Sequence, residues 1–123
     1  MRDALIVSTA RTPIGKAFRG AFNDTEAPAL AGHAVRHAVK RAGIEGDMVD
    51  DVILGCAAQQ GSQGYNIGRL ATYTAGLPRT VSGSTVDRQC SSGMMAIAMA
   101  AQSIMTNNAD VAVGGGVESI SLV

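Results

Sequence analysis

Short apolar runs alternate with helix-like segments along this chain of 123 residues, and that alternation restricts its fold more than any other feature. Continuous apolar runs, as opposed to runs that alternate with polar residues, are typical of parallel strands buried on both faces. Four strand-like runs occur, at residues 4–7, 51–56, 81–86 and 110–113. The sequence therefore predicts an α/β fold with a mainly parallel sheet covered by helices, in the order βαβαβαβ.

Three segments carry helix signals. Residues 25–42 begin with Thr25, Glu26 and Pro28 and end at Gly43, residues 67–75 end before Gly76, and residues 91–105 follow the third strand. One face of the first helix is predicted to be buried, and it consists of Ala27, Leu30, Ala31, Ala34, Ala38 and Ala42. The opposite face is basic and consists of His33, Arg36, His37, Lys40 and Arg41.

The third helix is apolar on every side. Between Gly93 and Met105 only Gln102 and Ser103 are polar, and such a helix is expected to be buried all round. Charged residues make up 16% of the chain, whereas about 25% is usual. Both observations predict that another subunit, or the rest of a longer chain, covers part of the surface.

Composition argues against several classes of partner. A net charge of zero and 3% aromatic residues do not fit a nucleic-acid-binding surface, and no apolar run reaches the roughly 18 residues of a membrane-spanning helix. The two cysteines, Cys56 and Cys90, are 34 positions apart, which matches neither a metal site nor a secreted disulfide framework. We expect a cytoplasmic protein in a reducing compartment, with no metal.

Cys90 is the main candidate for chemistry. It stands in V-D-R-Q-C-S-S-G, residues 86–93, where the third helix begins, and a helix N-terminus stabilises a thiolate. Ser91, Ser92 and Gly93 form a supporting loop of small residues that leaves room for an acyl group and offers backbone N–H groups to an oxyanion. Cysteine is also among the most buried residue types, so a structural thiol is the alternative.

Other candidates have plainer interpretations. Cys56 ends an apolar strand and is expected to pack in the core, and His33 and His37 share a basic surface face on which a metal site is not favoured. The run G-G-G-V-E-S, residues 114–119, lacks the Lys-Ser/Thr of a phosphate-binding loop, so close backbone approach is expected there. Glu118 is a candidate buried acceptor that braces the loops around Cys90.

No base for Cys90 is evident in these residues, although a nucleophilic cysteine needs a proton acceptor. Three stretches nevertheless resemble the thiolase family: residues 8–22 (STARTPIGKAFRGAF), 86–97 (VDRQCSSGMMAI) and 113–121 (VGGGVESIS). The resemblance covers essentially the whole chain but only the N-terminal part, about a third, of a thiolase. Residues 1–123 are accordingly expected to be an N-terminal thiolase-like domain that stops before the loop region and C-terminal domain.

The resemblance implies an acyltransferase that cleaves 3-ketoacyl-CoA with CoA, or runs the reverse Claisen condensation, in fatty acid metabolism. Cys90 would hold the acyl group as a thioester, with its N–H in an oxyanion hole. The family's Gly-His-Pro and Cys-x-Gly motifs, which move the protons, do not occur here, so residues 1–123 alone are expected to be inactive. Acyl-CoA and CoA would be substrates, with no permanently bound cofactor, and the family implies a homodimer or homotetramer.

Two alternatives stay open at this stage. One is a non-catalytic dimerisation or assembly module derived from a thiolase, and the other is a ketoacyl-synthase-like condensing enzyme, against which the stretches at 8–22 and 113–121 argue. One position departs from the resemblance: many thiolases carry Asn where this chain has Asp87. The added charge leaves the local hydrogen bonds open.

Overall fold

The computed structural model describes residues 1–123 and contains three helices and three strands. In chain order they are α1 (Ala27–Ala42), β1 (Asp51–Gly55), α2 (Ile67–Thr74), β2 (Ser82–Val86), α3 (Ser92–Met105) and β3 (Ala112–Gly116). Short 3-10 turns lie at Gly46–Met48, Gly61–Gln63 and Ile120–Leu122. The α/β class with helix-covered parallel strands is confirmed.

β1 is the central strand of a parallel sheet in the order β2-β1-β3. Val52 and Leu54 pack with α1 and α2 on one face, whereas Ile53 packs with Ala96 and Ala100 of α3 on the other. Neighbouring residues of a strand point to opposite faces, so the two helical layers share this one strand. None of the three helices is long and apolar enough to span a bilayer.

The predicted helix boundaries are close to those observed. Helix α1 ends at Gly43, which adopts the left-handed conformation at φ 71, as expected of a C-cap glycine. The predicted buried face of α1 is partly wrong: Ala27 and Ala31 are buried, but they share that face with Gly32, Val35 and Val39. Leu30, Ala34, Ala38 and Ala42 are only half-buried, because the larger valines point at the sheet.

The predicted buried strand at residues 4–7 is wrong. These residues join no strand ladder, and the exposed fractions of Leu5, Ile6 and Val7 are 77%, 80% and 74%. The segment is held through side chains instead: Arg2 Nη1 pairs with Asp110 Oδ1 at 2.7 Å, and Arg41 Nη1 donates to Thr9 O. A β-prone run becomes a strand only where a neighbouring strand accepts and donates its hydrogen bonds.

The expected end of the last strand needs correction, and the expected cover of α3 lies outside this chain. β3 runs from Ala112 to Gly116, so the glycines continue the strand where we expected it to end at residue 113. α3 is not buried all round within this chain: Ser92, Ala96 and Ala100 face the sheet, whereas Met94 and Ile97 are 76% and 47% exposed. The covering partner predicted for this helix stays a prediction.

Candidate active site

Cys90 lies at the carboxyl edge of the sheet, in the turn that joins β2 to α3. Ligand sites of parallel α/β sheets are expected at this edge, because the loops that follow the strands converge there. The thiol is exposed, whereas Cys56, at the end of β1, is buried. The structure therefore places Cys90 where the sequence predicted it, just ahead of the first turn of α3.

The turn around Cys90 is held by short side chains. Arg88 N donates to Ser92 Oγ at 2.8 Å, and Ser92 Oγ donates to Gln89 O at 2.6 Å. Ser91 Oγ donates to Arg88 O at 2.8 Å. The supporting loop predicted from the sequence thus contacts the backbone of the two residues that precede Cys90.

Asp87 completes this hydrogen bonding. Its Oδ1 accepts the backbone N–H of Gln89 at 2.8 Å, and Gln89 has a φ of 53, in the left-handed region that is costly for a side-chain-bearing residue. An asparagine Oδ1 is able to accept the same bond. The hydrogen bond at this position therefore does not depend on the charge of Asp87.

One backbone donor in the turn is left over. The N–H groups of Arg88, Gln89, Ser91 and Ser92 each have an acceptor within the chain. The N–H of Cys90 has none, and neither has that of Gly93 in the first turn of α3. Free N–H groups beside a thiol at a helix N-terminus are suited to bind negative charge that develops on an acyl oxygen.

Glycines allow α3 to begin directly against the strands. A Cβ on Gly55, the last residue of β1, would overlap the backbone of Ser92 and Gly93. A Cβ on Gly116, the last residue of β3, would lie 3.0 Å from Gly93 Cα. Real Cβ atoms essentially never approach as closely as the one on Gly55 would, whereas a Cβ on Gly116 would require its neighbour to shift slightly, so Gly55 is the glycine that most directly lets the Cys90 turn lie against the sheet.

A cavity of about 490 Å³ opens at Cys90. Gln89, Cys90 and Gly93 line one part of it, and Ala57, Ala58, Val117 and Glu118 line another. The first part belongs to the loop and helix start that follow β2, and the second part belongs to the loops that follow β1 and β3. The cavity thus joins the three strand ends, and its lining consists mainly of small side chains that leave space for an acyl group.

Glu118 braces the loop opposite Cys90, as the sequence suggested, but it does so from an exposed position and not a buried one. Its Oε1 accepts the N–H groups of Ala57 and Ala58, and its Oε2 accepts Gln63 Nε2 at 3.2 Å. Gln63 is fully buried and also donates to Ala58 O at 2.6 Å. Sequence reasoning missed Gln63, because nothing in G-S-Q-G marks one polar residue as buried.

Cys56 is a core residue, as predicted. It packs with Ala27 and Ile67, and burial, followed by the nearby charge of Glu118, raises the pKa of its thiol to about 12. A thiol with that pKa stays protonated near neutral pH. Burial and the raised pKa therefore both argue against a nucleophilic role for Cys56.

His33 and His37 lie on α1, which packs with α2 on the sheet face opposite α3. Their ring centroids are 4.4 Å apart, and the pKa of His37 is lowered by desolvation and by the charges of His33 and the neighbouring basic residues. No group of three or more potential metal ligands occurs in the chain. The expected basic face is confirmed, and neither histidine lines the cavity at Cys90.

Residues 4–123 match the family model described as "Thiolase, N-terminal domain". The chain is 46% identical over 123 residues to "3-ketoacyl-CoA thiolase" of Bacillus subtilis (strain 168), and the match covers 100% of this chain and 32% of that protein. It is 43% identical over 122 residues to "3-oxoadipyl-CoA/3-oxo-5,6-dehydrosuberyl-CoA thiolase" of Escherichia coli (strain K12), with 98% and 30% covered.

The fold has a solved counterpart. The crystal structure of the Bacillus anthracis acetyl-CoA acetyltransferase superposes with a TM-score of 0.92 at 44% sequence identity. The match covers 98% of this chain and 30% of that one. This chain spans about a third of the length of the curated relatives that it matches.

Proposed function

This chain belongs to the thiolase family, and we propose that it carries the nucleophile of CoA-dependent acyl transfer. Cys90 Sγ attacks the carbonyl carbon of an acyl-CoA or 3-ketoacyl-CoA. A new thioester bond to Cys90 forms, and the acyl bond to CoA, or the bond to the CoA-bearing acetyl carbon, breaks. The thiol proton of Cys90 ends on that leaving group. Attack of a second CoA thiol, or of the α-carbon of a second acyl-CoA, then breaks the thioester bond to Cys90 and releases the acyl group, and the proton lost by the attacking thiol or α-carbon returns to Cys90 Sγ.

The observation that carries this proposal is the free N–H of Cys90. The other four N–H groups from Arg88 to Ser92 are satisfied within the turn, so the unused donor among these five is on the residue whose thiol is exposed. A tetrahedral intermediate at Sγ brings its oxyanion close to that N–H and to the N–H of Gly93. Preorganised donors of this kind are often the largest contribution to acyl-transfer catalysis.

The groups that move protons come from outside these residues in our proposal. The acidic residue that lines the cavity, Glu118, already accepts hydrogen bonds through both of its oxygens. Both histidines lie on α1, away from the cavity. We expect residues 1–123 alone to give no thiolysis of acetoacetyl-CoA, and measurable turnover by that polypeptide would contradict this assignment.

Acyl-CoA and CoA are then the small-molecule partners, used as substrates and not as a resident cofactor. We further propose a homodimer or homotetramer acting in the cytoplasm, in fatty acid metabolism. The exposed side of α3, with Met94 and Ile97, supports a shared interface or a covering domain, because exposed apolar patches mark contact surfaces.

The direct test is acyl trapping on the intact protein. After incubation with acetyl-CoA and an acid quench, peptide mass spectrometry should find an acetyl group on Cys90. The matched controls are Cys90→Ser and Cys56→Ser. Acetylation that persists in Cys90→Ser, or that disappears only in Cys56→Ser, would contradict the proposal.

A second function has one observation in its favour. The apolar exposed side of α3 suits a non-catalytic assembly module, whose role would be to associate with another polypeptide. Size-exclusion chromatography with light scattering separates the two. A stable monomer at high concentration argues against such a module, and an oligomer in which Cys90 resists acetylation favours it.

A further inference from the structure

Asp87 has one role in the hydrogen bonding of the chain, and that role lies next to the candidate nucleophile. Its Oδ1 accepts Gln89 N at 2.8 Å, and the amide of the Gln89 side chain lies 3.3 Å from the same oxygen. Asp87 forms no ion pair, since the single salt bridge of the chain joins Arg2 and Asp110. Its side chain thus makes hydrogen bonds to Gln89 alone.

Gln89 needs to be held. Its φ of 53 is an unfavourable backbone conformation for a residue with a Cβ, and it is the residue immediately before Cys90. Its carbonyl oxygen is fixed by Ser92, through both N–H and Oγ. Its N–H is fixed only by Asp87. Without Asp87, the peptide group on the N-terminal side of this strained residue keeps only the hydrogen bonds that Arg88 O accepts from Ser91.

Rotation at Gln89 would move the groups that the reaction uses. The peptide group between Gln89 and Cys90 carries the one N–H of the turn that has no acceptor in the chain. Because that N–H belongs to the same peptide plane as Gln89 O, a change at Gln89 redirects the donor and displaces Sγ. Reaction geometry is sensitive to such displacements.

We propose that Asp87 is a positioning residue for Cys90, because its carboxylate holds Gln89 in the left-handed conformation and so directs the Cys90 N–H and thiol into the cavity. This inference rests on the proposed acyl transfer. The charge of Asp87 is not required for this role, because the hydrogen bond to Gln89 N needs only an oxygen acceptor. The other charged groups near Cys90 are Arg88 in the turn and Glu118 across the cavity.

Four forms of the intact protein test the proposal: wild type, Asp87→Asn, Asp87→Ala, and Asp87→Ala combined with Gln89→Gly. Two rates are measured for each, acetylation of Cys90 by acetyl-CoA and alkylation of Cys90 by iodoacetamide. Acetylation uses the oriented N–H, whereas alkylation needs only an accessible thiol. Asp47→Ala, which removes an exposed carboxylate with no hydrogen-bond partner in the chain, is the control.

Asp87→Ala should slow acetylation about tenfold, as expected when an oxyanion donor is misaligned, and should leave alkylation close to the wild-type rate. Asp87→Asn should match wild type in both rates, since it keeps the oxygen acceptor. Gln89→Gly should restore much of the acetylation in the Asp87→Ala background, because glycine adopts positive φ without bracing.

Three results would overturn the inference: an Asp87→Ala protein that is acetylated as fast as wild type, an Asp87→Asn protein as slow as Asp87→Ala, or no recovery with Gln89→Gly. Amide hydrogen exchange of Gln89 gives a readout that does not depend on catalysis. It should be slow in wild type and Asp87→Asn and faster in Asp87→Ala. If Cys90 of the wild type is never acetylated but this exchange pattern is observed, the proposed function is overturned, whereas the role of Asp87 in holding Gln89 is supported.

Discussion

The hydroxyl of Ser92 donates a hydrogen bond to the carbonyl oxygen of Gln89 at 2.6 Å, and the same hydroxyl accepts the N–H of Arg88 at 2.8 Å. One buried side chain therefore joins two residues on the strand side of Cys90 to the first residue of α3. The exposed thiol lies in the middle of this closed arrangement. The backbone that leads into Cys90 is thus held by the Ser92 side chain.

Replacing Ser92 by Ala should lower the free energy of unfolding by about 1–2 kcal/mol, because a partly buried N–H loses its acceptor. Ser91→Ala is the matched control: Ser91 is exposed and makes a single bond to Arg88 O, so a smaller loss is expected. Urea denaturation followed by circular dichroism measures both. Equal losses for the two serines would show that Ser92 has no special part in the turn.

Replacing Gly55 by Ala should be more damaging than either serine change. The new Cβ would overlap the backbone of Ser92 and Gly93, and relief requires α3 to move off the sheet, at a cost of about 1–3 kcal/mol or more. Gly115→Ala is the control, since a Cβ there meets only Leu54 Cδ2 at an ordinary 3.5 Å. Thermal unfolding of both variants tests this, and a Gly55→Ala protein as stable as Gly115→Ala would contradict the close approach.

Iodoacetamide near neutral pH should label Cys90 well before Cys56. Cys90 is exposed, whereas Cys56 is buried and the pKa of its thiol is raised to about 12. Peptide mapping after a time course gives both rates, and labelling in urea should remove the difference. Equal slow labelling of both cysteines in the folded protein would contradict the assignment of Cys90 as a reactive thiol.

The raised pKa of Cys56 also predicts a loss of stability at alkaline pH. In the unfolded chain the thiol ionises around its ordinary pKa of 9.0, whereas the folded protein keeps it protonated up to about 12. The contribution to folding is therefore complete below pH 9 and is lost as the pH rises through that window. The unfolding free energy of wild type should fall more steeply from pH 9 upward than that of Cys56→Ala, and parallel curves would contradict the shift.

Replacing Glu118 by Gln should weaken the wall of the cavity opposite Cys90. One oxygen continues to accept Ala57 N, but the new amide group faces the Nε2 donor of the buried Gln63, so one hydrogen bond is lost and about 1–2 kcal/mol of stability with it. Glu45→Gln, on an exposed carboxylate without a hydrogen-bond partner, is the control. Urea midpoints that coincide for the two variants would exclude the bracing role.

Much of the architecture could be predicted from local patterns. The helices at 27–42, 67–74 and 92–105 and the strands β1 and β2 lie within two residues of their expected bounds. The same local signals predicted the helix ends at Gly43 and Gly76 and the placement of Cys90 before α3. These features depend on residues that are near one another in sequence, and such residues carry most of the information about helix ends and turns.

What could not be predicted depends on residues far apart in the chain. The run at 4–7 has the composition of a strand, but strand formation requires hydrogen bonds to a neighbouring strand, and residues 4–7 make none here. Gly114 lies inside β3, beyond the predicted end of that strand. The close backbone approach expected of this glycine run is confirmed, because a Cβ at Gly114 would lie 2.7 Å from Ile97 Cα of α3. Gln63 reaches Glu118 across 55 positions of sequence.

Local patterns establish an α/β chain with a cysteine at a strand-to-helix junction and no base evident for it, because the periodicity of apolar residues and the positions of glycine and serine are local properties. Contacts between distant segments establish which backbone N–H is left without an acceptor and which side chains hold the turn around it. Those outcomes depend on how three strand ends and one helix start meet at the same edge of the sheet. Burial and hydrogen bonding at the site result from contacts between these segments, so they cannot be deduced from any one segment alone.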